Sequence, residues 1–333
     1  MNSSPNSSPH SPTVAGGAQS LMAGLSILGA AVAGGCANPS VRLITLDPGH
    51  FHAALVQKSM YAEVDPVVHV YASAGDDLQE HLKRIEAFNA RAEQPTHWRE
   101  QVYTGPDFFQ KMLDDRAGNV VVIAGNNTRK TEYILRSVQA GLNVLGDKPM
   151  AITPADLKKL KEAFAVAESR HVLLYDIMTE RFEVTSILQQ ELSRQPALFG
   201  RLTTGSADRP AIIEQSVHCF SKVVSGKPLK RPGWFFDVRQ QGESMVDVAS
   251  HLVDLVQCEA FPEQALSEGD VEVSSARHWA TLITPEQFQK VTGLKEFPSF
   301  LSSDVKDGVL HVFANGEMNY SLRGIRAKVT ATW

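Results

Sequence analysis

Asn119-Val120-Val121-Val122-Ile123-Ala124, followed directly by Gly125, is the stretch of sequence that decides the fold. A short run of β-branched apolar residues that ends at a glycine predicts a strand buried on both of its faces. The next segment, Thr131–Ala140, is predicted to be a helix, and it ends at Gly141, a residue suited to a helix C-cap. A buried strand that leads into a helix is one unit of a parallel sheet, and the sequence predicts such a sheet here.

The same alternation of strand and helix extends from this unit in both directions. Further strands are predicted at Val41–Leu46, Val67–Ala72, Asn143–Leu145 and His171–Tyr175. Helices are predicted at His52–Met60, at Leu78–Ala92 (as a polar insertion), at Phe108–Leu113, and after Thr153, which caps a helix that Pro154 begins. Such a sheet, with right-handed crossovers, binds its ligands at the carboxyl ends of its strands. Residues 41–176 are therefore predicted to form a doubly wound α/β domain.

Beyond Asp176 this alternation ends and the pattern changes. Helices are predicted at Val184–Ser193 and around Val246–Cys258, with a loop-rich stretch between them. Four strand-like segments follow, at Val271–Ser275, Gly308–Phe313, Glu317–Leu322 and Ile325–Trp333. This pattern predicts an α+β domain with an open sheet over residues 177–333. The last strand-like segment ends with the chain, so we expect either a short member of its class or a protein whose C-terminal part is missing.

Length and composition set the limits of the interpretation. A chain of 333 residues is too long for one ordinary core and fits two domains. Hydrophobic residues make up 43% and charged residues 21%, which is the balance of a soluble globular protein. A formal net charge of −5 provides no basic surface for a polyanion, so nucleic acid is not an expected partner. Three cysteines are too few for a disulfide framework or a cysteine-rich zinc site, and Cys219 and Cys258 are predicted to be packed thiols.

Residues 1–40 form a separate segment. No lysine, arginine, aspartate or glutamate precedes Arg42, and residues 1–20 are rich in serine, proline, glycine and alanine, which predicts disorder. The apolar run Leu21–Ala33 is too short to span a bilayer but has the length of a signal-peptide core. Small residues and Cys36 follow it, and this junction resembles a bacterial lipoprotein cleavage site. We expect either an exported protein, periplasmic or anchored to a membrane by a lipid on Cys36, or a disordered tail on a cytoplasmic protein.

The turn after the first strand is a reduced form of the glycine-rich fingerprint G-x-G-x-x-G. Its residues are Asp47-Pro48-Gly49-His50-Phe51-His52, in which only the middle glycine is kept. At that glycine the backbone can approach a pyrophosphate, although a lone glycine also occurs in turns that bind nothing. The second strand ends in Tyr71-Ala72-Ser73, without the acidic residue that would hold a ribose 2′-hydroxyl, so the choice between NAD and NADP stays open.

Two histidines of this turn invite a metal interpretation. His50 and His52 alternate around Phe51, and together with His218 or Asp254 they could form a metal site. No H-E-x-x-H or comparable ligand spacing is present in the sequence, and no metal site is predicted.

Three motifs, in order along the chain, resemble those of the Gfo/Idh/MocA family, which is named for glucose–fructose oxidoreductase and inositol dehydrogenase. The first extends from Ala124-Gly125-Asn126-Asn127 to Ala140–Met150, where Asp147-Lys148-Pro149 occupies the place of the family's E-K-P. The second, Thr179–Phe182, resembles the family's x-R-F, and the third, Gly242–Asp254, resembles G-G-G-x-x-x-D-x-x-x-H-x-x-D. The resemblance covers residues 41–333.

This resemblance implies a Rossmann domain that binds NAD or NADP, followed by a substrate-binding domain, in an oxidoreductase that acts on a sugar, cyclitol or polyol derivative. The cofactor-binding residues that it implies are Asp47, Gly49, His50, Phe51, Ala124, Gly125, Asn126, Asn127, Asp147, Lys148 and Pro149. It implies Lys148, Asp247 and His251 as catalytic residues, Arg181 and Asp254 as substrate-binding residues, and assembly into a homo-oligomer. Two alternatives stay open: a non-catalytic dinucleotide- or sugar-binding module of the same fold, and a glycosidase that uses the dinucleotide as a transient redox relay.

The chemistry of alcohol oxidation is consistent with the three catalytic residues. Asp247 and His251 are four positions apart and share one helix face. A histidine that a carboxylate holds titrates near neutrality and can exchange the hydroxyl proton. Lys148 precedes a proline, which keeps it extended, so its ammonium can polarise the substrate oxygen. We therefore predict His251 as general base or acid, Asp247 as the group that orients it or relays its proton, and Lys148 as the polarising cation.

Overall fold

A six-stranded parallel sheet forms the N-terminal half of the computed structural model, which describes residues 40–177, 180–224 and 226–333. Its strands are β1 (Leu43–Leu46), β2 (Val67–Tyr71), β3 (Arg99–Tyr103), β4 (Val120–Ile123), β5 (Asn143–Gly146) and β6 (Leu174–Asp176). They lie in the order β3-β2-β1-β4-β5-β6, and every pairing is parallel. The predicted Rossmann sheet is confirmed. The signal-like segment with Cys36 and the motif residue Thr179 lie outside the described residues.

Helices cover both faces of this sheet. They are α1 (His52–Leu55), α2 (Asp76–Asn89), α3 (Phe108–Asp115), α4 (Lys130–Gln139) and α5 (Pro154–Arg170). Apolar side chains of α3, α4 and α5 form the larger core on one face, and those of α1 and α2 form a smaller core on the other. α5 begins as predicted, because the Thr153 hydroxyl accepts a hydrogen bond from the Asp156 backbone N–H at 3.1 Å.

Two predictions in this half are wrong. α1 ends at Leu55 rather than at Met60, because the carbonyl of Gln57 accepts a hydrogen bond from the Trp98 indole at 2.7 Å and draws the chain out of the helix. α2 is not an insertion but the crossover helix between β2 and β3. The sequence did not predict β3 because this edge strand, Arg99–Tyr103, is polar and partly exposed.

A second sheet forms the C-terminal half, which confirms the predicted α+β class. Its strands are β7 (Ile212–Val217), β10 (Val271–Ile283), β11 (Val305–Lys306), β12 (Val309–Leu322) and β13 (Ile325–Thr332), and a hairpin of β8 (Val223–Val224) and β9 (Lys227–Pro228) lies apart. The order is β10-β12-β13-β7, with β11 beside β12. The helices are α6 (Val184–Ser193), α7 (Pro196–Phe199), α8 (Val238–Gln241), α9 (Ser244–Asp247), α10 (Ala249–Ala260) and α11 (Pro285–Thr292). α10 packs its apolar face on β7 and β13.

Several predicted elements of this half differ in extent. The helix predicted around Val246–Cys258 is divided into α9 and α10, although Val248 between them keeps right-handed helical dihedrals. The two predicted strands at Gly308–Phe313 and Glu317–Leu322 form the single long strand β12.

Cys219 is exposed and Cys258 only partly buried, so the prediction of packed thiols is wrong for Cys219. Within the described ranges, no helix is both long and apolar enough to cross a membrane.

Gly125 marks the close approach of the ends of β1 and β4, and we expect alanine to be poorly tolerated there. An added Cβ would lie 2.2 Å from the Asp47 carbonyl oxygen, a backbone atom that cannot move aside. Gly125→Ala should lower the free energy of unfolding by about 2 kcal/mol or more, measured by urea denaturation. The control is Gly269→Ala, where the added Cβ has ordinary contacts, with an expected change within about 0.5 kcal/mol. Equal effects of the two substitutions would contradict this packing.

His81 of α2 should make stability depend on pH. Its side chain is 2% exposed, neither ring nitrogen has a hydrogen-bond partner among the described residues, and burial lowers its pKa from 6.5 to about 4. The unfolded chain therefore binds a proton that the folded chain refuses, and stability falls as the pH drops below 6.5. Between pH 7 and pH 5 the free energy of unfolding should fall by about 2 kcal/mol less in His81→Leu than in the wild type. The control is His97→Leu at an exposed position, in which the free energy of unfolding should fall as much as in the wild type. An equally large fall in His81→Leu would show that His81 does not cause the pH dependence.

Candidate active site

An ion pair between the two halves lies at the carboxyl end of the parallel sheet. Lys148 follows β5 directly after Asp147, and Asp247 is the last residue of α9. The Lys148 Nζ donates to Asp247 Oδ1 at 2.6 Å, and the two side chains are only 12% and 6% exposed. Burial raises the pKa of Asp247, but the Lys148 ammonium outweighs it and holds this pKa below its usual value. The sheet mouth thus contains a charged, closely held lysine–aspartate pair.

His251 lies one helical turn after Asp247, in the first turn of α10, but the two side chains do not pair as predicted. The only carboxylate within 4.0 Å of a His251 ring nitrogen, among the described residues, belongs to Glu180, at 3.8 Å from Nδ1. That nitrogen is buried and has no hydrogen-bond partner. Burial, together with Lys148, lowers the pKa of His251 to about 4. His251 therefore stays neutral at physiological pH instead of titrating near neutrality, and the carboxylate predicted to hold it is engaged by Lys148.

Asp147 is the centre of a second cluster at the sheet mouth. Its two carboxylate oxygens bond Nδ1 of His50 at 2.8 Å and Nδ1 of His52 at 2.9 Å. The ammonium of buried Lys130 donates to its backbone carbonyl at 3.0 Å. Burial raises the pKa of Asp147, yet the two imidazoles together hold it well below its usual value. Burial, and after it the neighbouring His52, lower the pKa of His50 to about 3, so the His50 ring is neutral.

The donor atoms of His50, His52 and Asp147 lie within 4.8 Å of one another, as metal ligands do. His50 and His52 therefore contact Asp147, and not His218 or Asp254, which the sequence had suggested as further ligands. The carboxylate already accepts a hydrogen bond from each ring, and Lys130 and Lys148 provide two positive charges beside it. A divalent cation would add charge where the groups are already balanced, and this cluster is best described as a hydrogen-bonded support of the turn.

The turn after β1 keeps the conformation of a glycine-rich loop with side chains in place of glycines. Asp47 takes a left-handed φ of 46°, and its carboxylate accepts a hydrogen bond from the Tyr133 hydroxyl at 2.9 Å. The N–H groups of Gly49 and His50 both donate to the Ala124 carbonyl, at 3.1 and 3.0 Å. The N–H groups of Phe51 and His52, which come next, donate to no described residue.

A carboxylate and an indole lie over Gly49. The Trp234 Nε1 donates to Asp77 Oδ2 at 2.7 Å, and a Cβ on Gly49 would lie 3.0 Å from that oxygen and 3.1 Å from the Trp234 ring. A cavity of about 260 Å³ opens beside these residues. The end of β2, Tyr71-Ala72-Ser73, has no acidic residue and gives no sign of Asp77, which reaches the turn from the second position of α2.

The residues after β4 connect the two halves. The Asn126 side chain donates to Gln240 Oε1 at 2.7 Å, and the Asn127 side chain donates to the Gln241 carbonyl at 2.6 Å. The Asn127 Oδ1 is buried and has no hydrogen-bond partner in the part of the chain that the structure describes. Of the residues predicted for the cofactor, Ala124 and Gly125 support the turn, and both asparagines anchor α8.

Arg181 and Asp254, predicted for the substrate, are brought together and bind each other. The Arg181 Nε donates to Asp254 Oδ2 at 2.8 Å, and its Nη2 donates to Oδ1. This forked ion pair attaches the turn Glu180–Phe182 to α10. It thereby places Glu180 next to His251. A contribution of Arg181 and Asp254 to substrate binding stays a prediction.

Comparison with known proteins supports the fold and shows the family. Residues 46–176 match the family model "Oxidoreductase family, NAD-binding Rossmann fold", and residues 188–333 match "Putative oxidoreductase C terminal domain". The crystal structure of "a putative oxidoreductase" from Parabacteroides merdae is 54% identical, with a TM-score of 0.86, and the match covers 90% of this chain and 68% of that one. No curated protein matches the chain significantly.

Two more distant structures share the fold. GenD2 from gentamicin A biosynthesis, in complex with NAD, is 16% identical, with a TM-score of 0.54 over 91% of this chain and 68% of its own. The WlbA dehydrogenase from Bordetella pertussis, in complex with NADH and UDP-GlcNAcA, is also 16% identical, with a TM-score of 0.51 over 88% and 72% of the two chains. Fold and site thus define an oxidoreductase with an NAD-binding Rossmann domain. The chain belongs to the Gfo/Idh/MocA family.

The residues of the sheet mouth fit a nicotinamide dinucleotide. Two backbone N–H groups, of Phe51 and His52, bond no residue in the described part of the chain and lie where a Rossmann turn meets a pyrophosphate. The Asp77 carboxylate lies beside Gly49, next to the cavity of about 260 Å³. The unpartnered Asn127 Oδ1 is a further buried acceptor near the end of β4. Backbone donors and a carboxylate are the groups that pyrophosphate and ribose hydroxyls require.

Asp247→Asn should destabilise the fold strongly, because it leaves the buried Lys148 ammonium without a counter-charge. We expect the free energy of unfolding in urea to fall by about 3 kcal/mol or more. Glu268→Gln breaks an ion pair with Lys161 at the exposed surface and is the matched control, with an expected loss of less than about 1 kcal/mol. A loss in Asp247→Asn as small as that in the control would show that the ion pair does not hold the two halves together.

Proposed function

We propose that the chain is an NAD(P)-dependent dehydrogenase that oxidises a secondary alcohol of a sugar, cyclitol or polyol derivative. The observation that carries this proposal is the ion pair of Lys148 and Asp247, at 2.6 Å, in the sheet mouth beside a neutral His251. The family model for an NAD-binding Rossmann fold supports it. So do the two distant fold neighbours, which were crystallised with NAD and with NADH and UDP-GlcNAcA.

In the proposed reaction, the chain's residues manage the proton and the charge on the alcohol oxygen. When bound, the nicotinamide ring supplies the acceptor for the hydride that leaves the carbon. His251 accepts the hydroxyl proton, because burial and Lys148 keep its imidazole unprotonated. The Lys148 ammonium donates a hydrogen bond to the oxygen and stabilises the negative charge that develops there. Asp247 acts through Lys148, whose ammonium it holds by a hydrogen bond at 2.6 Å.

We propose NAD as the preferred dinucleotide on account of Asp77. Its carboxylate lies beside Gly49 and comes from the first turn of the helix after β2, and an acidic residue that follows the second strand of a Rossmann domain binds the ribose 2′-hydroxyl. A 2′-phosphate at the same place would meet this negative charge and be repelled. NAD should therefore raise the melting temperature of the chain more than NADP does at equal concentration, and Asp77→Asn should reduce the difference.

A non-catalytic dinucleotide-binding module is the second candidate. It is favoured by the turn itself, in which the N–H groups of Gly49 and His50 are used within the protein. It gives no reason, however, for a buried lysine–aspartate pair next to a neutral histidine. The two candidates differ in one result: both predict cofactor binding, and only the dehydrogenase predicts turnover.

The test is a screen of a polyol and sugar panel with NAD and NADP, in which reduced nicotinamide is measured by its absorbance. Once a substrate is found, Lys148→Ala and His251→Ala should each lower kcat by roughly a hundredfold or more, since each removes a group that handles the proton or the developing charge. Lys159→Ala, which removes an exposed ion pair with Glu132 on α4, is the control and should keep the wild-type rate. Binding of NAD without turnover on any substrate would favour the binding module, and wild-type rates in both variants would refute the assigned residues.

A further inference from the structure

A group of basic residues lies next to the Lys148–Asp247 pair and is not used by the proposed hydride and proton transfer. It consists of His218, Lys222 and Arg231, which we call the cationic cluster. All three follow β7 in the sequence, and Lys222 and Arg231 flank the β8–β9 hairpin. Desolvation is the main cause that lowers the pKa of both His218 and Lys222, and the Lys148 charge acts in the same direction, so the cluster lies within electrostatic reach of the sheet mouth.

Arg231 is a buried guanidinium without a carboxylate partner. Its side chain is 3% exposed and stacks on the rings of Phe235 and Trp333, at 4.1 and 5.2 Å from their centroids. Its hydrogen bonds within the described chain go to the carbonyls of Cys219 and Phe220, which are neutral. No described carboxylate lies within 4.0 Å of it. Burial lowers its pKa only to about 10, so it keeps its charge at neutral pH.

Lys222 extends this positive region towards the cofactor turn, and His218, whose lowered pKa leaves its ring neutral, lies beside it as a polar group. The Lys222 ammonium lies 5.3 Å from the centroid of the Phe51 ring, and no carboxylate lies within 4.0 Å of it among the described residues. His218 stacks on Trp333, with ring centroids 5.0 Å apart, and its Nδ1 bonds the Ser216 hydroxyl at 2.9 Å. The cluster thus extends from buried Arg231, on the Trp333 ring, to Lys222, over the ring of Phe51 in the predicted cofactor turn.

The acids near this region do not neutralise it. The Asp247 charge raises the pKa of all three members, but its carboxylate is held by Lys148. Glu180 lies within electrostatic reach of Lys148 and Lys222 but forms no ion pair with either lysine among the described residues. Its carboxylate lies 3.8 Å from His251 Nδ1. A buried cation that has no counter-charge is costly, and a bound anion would offset that cost.

We propose that the cationic cluster binds an anionic oxygen group of the substrate, a carboxylate or a phosphate ester, so that the enzyme acts on an acidic sugar rather than on a neutral one. Arg231 and Lys222 would neutralise the anion, while Lys148 and His251 act on the hydroxyl. The proposal rests on the proposed function for the reaction, but it can be tested by binding alone. The pyrophosphate of the dinucleotide is the other source of the same chemistry, and the experiment separates the two.

The experiment compares matched acidic and neutral ligands on the full chain by isothermal titration calorimetry, with NAD at saturation. The pairs are glucuronate against glucose, galacturonate against galactose, and glucose 6-phosphate against glucose, with acetate and inorganic phosphate as bare anions. We expect at least one acidic ligand to bind about tenfold more tightly than its neutral counterpart, and its affinity to fall with added NaCl. Lys222→Ala should reduce this preference about threefold, and Arg231→Met about tenfold. The exposed Lys227→Ala is the control and should leave the preference unchanged.

Two results would overturn the proposal. One is that no acidic ligand and no bare anion binds better than the neutral sugars; the other is that Lys222→Ala and Lys227→Ala have the same preference. If Lys222→Ala instead weakens NAD itself and leaves the preference intact, the anion is the pyrophosphate and the proposal is wrong. Lys222 is exposed and makes no ion pair among the described residues, so its alanine variant is expected to fold even if Arg231→Met does not. Because binding is measured, failure to find turnover would affect the proposed function and not this result.

Discussion

A buried salt bridge between two domains is the constraint on which the rest of the site depends. An isolated Lys148 ammonium at the end of β5 would be too costly to bury, and so would an isolated Asp247 carboxylate on α9. Their contact at 2.6 Å makes both acceptable and fixes α9 over the parallel sheet. α10 follows α9 almost without interruption, so the same contact sets the position of His251. The electrostatics of His251, which keep it neutral, also originate in part from Lys148.

The turn after β1 shows how a Rossmann loop can lose glycines and keep its shape. Asp47 adopts the left-handed backbone that a glycine would adopt more easily, and the Tyr133 hydroxyl holds its side chain. His52, in place of the third glycine, is held by Asp147 together with His50. Side-chain hydrogen bonds therefore take over from backbone freedom, while the middle glycine remains because Asp77 and Trp234 leave no room for a larger residue.

The sequence predicted most of the first sheet, because strands buried on both faces must be almost wholly apolar, as Val120–Ile123 is. It did not predict β3 or β7, which are edge strands with many exposed side chains and thus no such requirement. Of the site, motif order predicted that Lys148, Asp247 and His251 would converge. The partner of Asp247 could not be predicted from the sequence. It is Lys148 and not His251 because of the way α9 packs on the sheet. Asp77 and Trp234 were missed since they reach Gly49 from different halves of the chain.

The central claim is that one lysine from the first domain and one histidine from the second act on the same nicotinamide ring. The most direct measurement is a crystal structure of the chain with NAD and a bound sugar. This account predicts the pyrophosphate at the N–H groups of Phe51 and His52, and the Lys148 Nζ within about 3 Å of a substrate oxygen whose carbon faces the ring. A dinucleotide bound elsewhere, or a nicotinamide ring remote from Lys148 and His251, would contradict it.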